Sequence, residues 1–258
     1  MYEKEAPMGQ YKEFCDGFND IEGWFSLDSA ALWDALLAYQ ASLKLGGHIF
    51  EIGVFKGKSA AMLALHMAKD ENLLLVDPWT LDDVVRDRLL KIKPDNLLFC
   101  PTPSTAVWSS QVIQTGRFSF RWIHVDGEHS GMAVDNDLRL ASELLHDKGV
   151  LVMDDFFNPA YPQITWSTIR FLDKHRYELA PFLCGFNKLY ICRPAALKDY
   201  LAFVKDHILA QMAERGREAI LYKTTYPSDL NCFGIGPHYD KSLPQFWGPD
   251  WARDDVMI

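Results

Sequence analysis

Five short apolar runs, each followed by a stretch of helical length, dominate the chain between His48 and Asp155: HIFEIGV, NLLLVD, NLLFC, FRWIHVD and GVLVMDD. Parallel strands need a long crossover between them, and that crossover is most often a helix, so the alternation calls for a parallel sheet covered on both faces. Runs such as LLLV and VLVM show no polar alternation, which fits strands buried on both sides. The helical stretches are KSAAMLALHMAK, LDDVVRDRLLKIK, a weaker TAVWSSQVIQ, AVDNDLRLASELLH and QITWSTIRFLDKH. The pattern then changes. YELAPFL and NKLYICR are two short strands with only CGF between them, which predicts an antiparallel hairpin at one end of the sheet.

A helix follows over AALKDYLAFVKDHILAQMAERG. From Tyr222 to Ile258 the chain is rich in Pro, Gly and aromatic residues, with too many apolar rings for a solvated tail. The sequence thus divides into an N-terminal helical cap on the substrate side (1–45), a central α/β domain (46–193) and a C-terminal extension (194–258) that packs on the domain or on a second subunit.

Composition narrows the function classes. The 258 residues are 48% hydrophobic and 24% charged, as in an ordinary globular protein. A formal net charge of −9 argues against a general nucleic-acid surface and says nothing about a small-molecule site; a small-molecule substrate is the expected partner on the grounds given below. No apolar run reaches membrane-spanning length, and MYEKEAPMGQYKEF lacks the parts of a signal peptide. Five scattered cysteines, an odd number without a CxxC pair, read as reduced thiols in a cytoplasmic protein rather than as a disulfide framework or a zinc site.

Ligands of open parallel sheets bind at the carboxyl ends of the strands. Glu51 to Gly53, Asp77, Cys100 to Ser104, Asp126 to His129, and Asp154 with Asp155 all fall at such ends. Gly53 and Gly57 sit in the first strand-to-helix turn, where glycine lets the backbone approach a ligand and the helix start offers unpaired N–H groups. Neither the dinucleotide fingerprint GxGxxG nor the phosphate loop GxxxxGK[ST] is present. Asp77 ends the second strand, where an acid accepts ribose hydroxyls, or else caps the turn before Pro78. Asp126, Glu128, Asp154 and Asp155 bring four carboxylates to two neighbouring strand ends. They repel one another unless protons or a cation intervene, and oxygen ligands of this kind suit Mg²⁺. Helix capping explains one acid at each end and explains the Asp154–Asp155 pair less well.

EIGVFKGKSA, VDPW, IHVDGEHSG and GVLVMDDF, in this order, resemble the class I S-adenosylmethionine-dependent methyltransferases. The metal-dependent O-methyltransferase branch is the most similar, with its catechol-type and its macrolide and aminocoumarin sugar enzymes. The resemblance covers roughly residues 20 to 193, and IEGWFS fits the lead-in to the first strand. It implies a Rossmann-like sheet of seven strands ending in an antiparallel hairpin. It also implies S-adenosyl-L-methionine bound by Glu51, Gly53, Gly57, Lys58, Ser59, Asp77 and Asp126, with Glu51, Gly53 and Gly57 at its amino-acid end and Trp79 near the adenine. The third strand leads into CPTPST rather than into an acid, so Thr102 or Ser104 stands near the adenine in its place. The same resemblance implies Mg²⁺ or another divalent cation on Asp126, Asp154 and Asp155, and a general base at Glu128 or His129. His124, inside the fourth strand, is expected to turn into the sheet packing. The other classes compatible with the pattern are an N-methyltransferase on a small amine, an NAD-type oxidoreductase and a non-catalytic binding domain.

Overall fold

The computed structural model describes residues 9–93, 95–109, 119–226 and 230–254. Two helices, α1 (Tyr11–Gly17) and α2 (Leu27–Ser42), precede the sheet. The alternating part runs β1 (His48–Ile52), α3 (Lys58–Leu65), β2 (Leu73–Asp77), α4 (Asp83–Ile92), β3 (Leu97–Pro101), β4 (Phe120–Val125), α5 (Gly131–Leu144), β5 (Leu145–Met153) and α6 (Pro162–Lys174). A short 3₁₀ helix over Ser104–Ser109 occupies the start of the weakly helical TAVWSSQVIQ; the rest of that stretch lies outside the described residues. The expected hairpin is present as β6 (Ala180–Gly185) and β7 (Lys188–Cys192), paired antiparallel. After it come α7 (Pro194–Glu214), β8 (Ala219–Tyr222), β9 (Phe233–Pro237), β10 (Phe246–Trp247) and α8 (Asp250–Asp254).

The strand order is β10-β8-β9-β6-β7-β5-β4-β1-β2-β3. β1 to β5 are mutually parallel, and β7 turns antiparallel against β5. Among the described residues the sheet therefore has ten strands rather than the expected seven. The three extra strands come from the C-terminal extension: β9 lies parallel to β6, β8 antiparallel to β9, and β10 parallel to β8. The apolar rings of that segment thus belong to the sheet of this same domain.

Side chains alternate across the strands and build one core on each face. Ile49, Leu73, Leu75, Trp122, Val150 and Val152 meet α2, α3 and α7 on one side. Phe50, Ile52, Leu74, Val76, Ile123 and Leu151 meet α5 and α6 on the other. Several helix starts carry the cap their sequence supplies. Ser26, Asp82 and Ser130 accept from the backbone N–H of Ser29, Val84 and Ala133, which fixes the starts of α2, α4 and α5. Among the described residues no helix is long and apolar enough to cross a membrane.

Candidate active site

A cavity of about 910 Å³ opens over the carboxyl ends of the central strands. Gly53, Lys58, Ser59, Asp77, Trp79, Ser104, Asp126, Glu128, His129, Asp154 and Asp155 line it, so one cavity gathers most of the residues singled out in the sequence. Glu51 and Gly57 are not among its lining residues. The Glu51 side chain is fully buried and bonds His124, while Gly57 is the N-cap of α3, in the left-handed region at φ 79°.

Gly53 is required twice over. Its φ of 82° disfavours any side chain, and an added Cβ would lie 1.7 Å from the carbonyl oxygen of Asp126. The first turn and the fourth strand end can approach this closely only with glycine between them. Asp77 reaches back across the same turn. One of its oxygens accepts from the N–H of Val54 (2.7 Å) and of Phe55 (3.0 Å), and the other accepts from the N–H of Trp79 (2.8 Å). A carboxylate offers about four lone-pair sites, so roughly one remains. The structure thus shows Asp77 holding the turn, the alternative role read for it in the sequence. Trp79 is 79% exposed at the rim. Another exposed aromatic pair, Trp24 stacked on Phe55 at 5.4 Å, belongs to the same cavity wall.

The acids at the fourth and fifth strand ends divide into two layers. In the lower layer Glu51, His124, Asp154 and Lys188 form a buried chain of alternating charge. His124 Nδ1 lies 2.8 Å from Glu51 Oε1, and its Nε2 lies 3.2 Å from Asp154 Oδ2. The Lys188 ammonium donates to that same Asp154 oxygen. Asp154 Oδ1 accepts from the backbone N–H of Asp155 (2.7 Å). Burial disfavours the charged imidazole, but the hydrogen bonds and charges of Asp154 and Glu51 outweigh it and lift the His124 pKa to about 9. Burial raises the Asp154 pKa while Lys188 and His124 lower it, and the net effect holds it well below the usual carboxylate range. His124 is thus buried as its strand position predicts, yet it also lines the cavity floor as part of an ion chain, a role the alternation did not reveal.

In the upper layer His129 Nε2 lies 3.4 Å from Asp155 Oδ2 and 3.9 Å from Asp126 Oδ1. Asp155, at φ 54°, accepts through Oδ1 from the side-chain amides of Asn158 (2.8 Å) and Asn187 (2.6 Å). Burial and the neighbouring Asp154 push the Asp126 pKa up to about 6. Its acid neighbours raise the His129 pKa, Asp126 foremost. The donor atoms gather as two triads that share Asp126, namely His124, Asp126 and Asp154 below and Asp126, His129 and Asp155 above. Asp154 and Asp155 lie in the turn just past β5, with Asp155 at a left-handed φ of 54°, and their side chains join different layers. Asp126 and Asp155, with His129 beside them, have the donor types that a divalent cation takes. Asp154 is already neutralised by Lys188. Glu128 is exposed at the cavity mouth.

Lys188, Asn158, Asn187 and Tyr161 are site residues that the sequence reading missed. Lys188 had a signal: a lysine heading the wholly buried run KLYIC needs a counter-ion, which only the neighbouring strand can supply.

Residues 50–156 match a family described as a methyltransferase domain. No curated protein was found that matches the sequence. Among solved structures, the chain resembles CalS11, a TDP-rhamnose 3'-O-methyltransferase of calicheamicin biosynthesis, with 14% identity and a TM-score of 0.52 over 63% of this chain and 78% of that one. It also resembles the O-methyltransferase NovP, with 12% identity and a TM-score of 0.53 over 64% and 80% of the two chains. A third is the MycE methyltransferase of mycinamycin biosynthesis, described in complex with Mg, S-adenosylhomocysteine (SAH) and mycinamycin VI, with 11% identity and a TM-score of 0.53 over 73% of this chain and 55% of that one.

Proposed function

We infer that this chain is an S-adenosylmethionine-dependent methyltransferase, a reading supported by the methyltransferase-domain match over residues 50–156 and by the fold, and that it transfers the methyl group to a hydroxyl of a small molecule: a sugar, a glycoside or another natural product. One observation carries the reading. The Gly53 turn, the Asp77 carboxylate and the Asp126–His129 segment all face a single cavity at the carboxyl ends of the strands. When bound, S-adenosylmethionine supplies an electrophilic methyl on a sulfonium.

The glycine turn admits the cofactor close to the backbone, and Asp77 takes a ribose hydroxyl with its remaining acceptor site. Asp126 lies at the methionine end, beside the acceptor. Glu128 or His129 accepts the hydroxyl proton as the methyl transfers; His129, whose pKa its acid neighbours raise, can also hold that proton. Asp126 and Asp155 would hold a divalent ion, with Asp154 behind them committed to Lys188 and His124. Bound there, the ion supplies positive charge that lowers the pKa of the acceptor hydroxyl. The description of MycE with Mg and SAH, and the sugar substrate in the name of CalS11, support this choice of chemistry.

The test is calorimetric titration with S-adenosylmethionine, with and without Mg²⁺. A panel of glycosides, polyphenols and amines is then assayed for methyl transfer before and after chelation. Binding of the cofactor and transfer to a hydroxyl are expected, with loss of turnover but not of cofactor binding on chelation. Full turnover after exhaustive chelation would remove the ion from the mechanism, and transfer to amines alone would remove the hydroxyl.

A further inference from the structure

The start of α6 grips the segment after β4 from outside the strand ends. Tyr161 is the N-cap of α6, a position that favours Ser, Thr, Asp or Asn, yet its side chain makes no capping hydrogen bond. Its ring lies instead against the His129 imidazole, with centroids 4.0 Å and planes 53° apart. Two residues on, the Gln163 side-chain amide donates to the His129 backbone carbonyl at 2.8 Å. One turn further, α6 comes so close to the start of α5 that a Cβ on Gly131 would lie 2.9 Å from Ser167 Oγ. One helix thus meets residues 129 and 131 at three points, through a ring, an amide and a close backbone approach.

The arm that carries Tyr161 is itself tied down. The Asn158 side chain donates to Asp155 Oδ1 (2.8 Å) and accepts from the N–H of Ala160 (2.9 Å), and its backbone carbonyl accepts from the N–H of Tyr161 (3.1 Å). Pro159 and Pro162 fix φ on either side of the Ala160–Tyr161 step. The acids do less to orient the imidazole. His129 Nε2 lies 3.4 Å from Asp155 Oδ2 and 3.9 Å from Asp126 Oδ1, both longer than an ordinary hydrogen bond. The side chain is 31% exposed, so contacts with the two acids alone would leave the ring room to change rotamer. His129 and Tyr161 both line the cavity, which places this contact at the reacting end of the site.

We propose that Tyr161 and Gln163 are positioning residues for methyl transfer: acting through His129, the ring of Tyr161 holds the imidazole toward the acceptor, and the amide of Gln163 holds the backbone that carries it. The proposal rests on the methyl-transfer reading of the cavity. A group fixed in place before the reaction speeds the chemical step without strengthening the hold on the cofactor, and a misplacement of about 1 Å can cost about a hundredfold.

The experiment is steady-state kinetics of the full chain with S-adenosylmethionine and the first glycoside or polyphenol that the parent methylates, beside calorimetry with S-adenosylhomocysteine. Tyr161→Ala should lower kcat by about 10- to 100-fold and leave S-adenosylhomocysteine affinity intact. Tyr161→Phe keeps the ring and should recover most of that loss. In a His129→Gln background the step from Tyr161 to Ala should cost little more, because residues that act as a unit are not additive. A merely structural role would cost the same in both backgrounds. Gln163→Met keeps the length of the side chain without its donor and should lower kcat in the same sense, which keeps the test open if Tyr161→Ala does not fold. Parental kcat in either folded variant would remove that residue from the role. An equal loss in both backgrounds, or a matching fall in S-adenosylhomocysteine affinity, would overturn the action through His129. If the parent methylates no member of the panel, the methyl-transfer reading falls, and this inference with it.

Discussion

Replacing Lys188 with Met tests the buried charge chain directly. Lys188 and Asp154 are 3% and 8% exposed, and the ammonium bonds the same Asp154 oxygen that His124 faces. Removing one partner of a buried pair leaves an uncompensated charge and costs about 3–5 kcal/mol. Here the His124 imidazolium stays beside Asp154, which places the expected loss near the lower end, about 3 kcal/mol. The methionine keeps most of the apolar contact with Phe25 and Trp33, whose ring centroids lie 5.8 and 5.9 Å from the lysine nitrogen, so little of the loss is packing. For a domain of this size, each kcal/mol moves the melting temperature by about 2–4 °C, which predicts a fall of about 6–12 °C. Urea unfolding followed by circular dichroism and by tryptophan fluorescence gives the free energy independently. The companion variant Lys188→Met/Asp154→Asn removes the orphaned charge and keeps a polar partner for His124. It should recover at least half of the loss. A single variant within about 1 kcal/mol of the parent, or a double variant worse than the single one, would refute the claim that Asp154 depends on Lys188 for its charge.

Gly53→Ala should abolish cofactor binding and lower stability by about 3 kcal/mol or more, because its methyl meets the Asp126 carbonyl at a positive φ; thermal melting and calorimetry read both effects. Asp77→Asn keeps the shape but weakens acceptance from Val54, Phe55 and Trp79. It should weaken S-adenosylmethionine binding by about tenfold or more, and binding at parental strength would count against the ribose assignment. His124 should govern the alkaline limb of stability. Its pKa rises from about 6.5 unfolded to about 9 folded, so its contribution is complete below about pH 6.5 and is lost as pH climbs through about 9. Unfolding free energies measured across that window should fall in the parent, and the fall should flatten in His124→Gln. Of Glu128→Gln and His129→Gln, the one that removes the base should lose about 10²–10⁴ in kcat with cofactor affinity retained, and near-parental rates in both would exclude the two as bases.

The sequence was most legible where one local pattern decides the outcome. Apolar runs and amphipathic stretches gave the parallel strands and their helices, and the missing helix between YELAPFL and NKLYICR gave the hairpin. The three C-terminal strands escaped because β9, FGIGP, is glycine-rich and becomes a strand through its ladder to β6, a tertiary contact with no local signature. In the site, the position of each acid at a strand end was readable, but its partner was not. Asp154 and Asp155 look alike in sequence, yet one meets a buried lysine and the other meets two amides and a histidine. Which oxygen meets which donor depends on the register of β7 against β5, where Met153 faces Leu189 and Lys188 falls one step beyond.

The pairing of β9 with β6 also bears on how the protein survives its own synthesis. Leu183 and Phe233 are register partners and fully buried, and a Cβ on Gly185 would lie 2.0 Å from the Ile235 carbonyl, so the two strands close tightly. Until β9 leaves the ribosome, β6 presents an unpaired row of backbone donors and acceptors beside apolar side chains, which is the kind of edge that recruits other extended chains. Once β9 and β8 have docked, the outermost strand on that side is β10, only two residues long, and it offers a visiting chain almost no ladder to extend. Chains released before residue 237 should therefore aggregate through the β6 edge while the full chain stays dispersed. The C-terminal strands act in cis as the guard of an edge that the central domain alone would leave open.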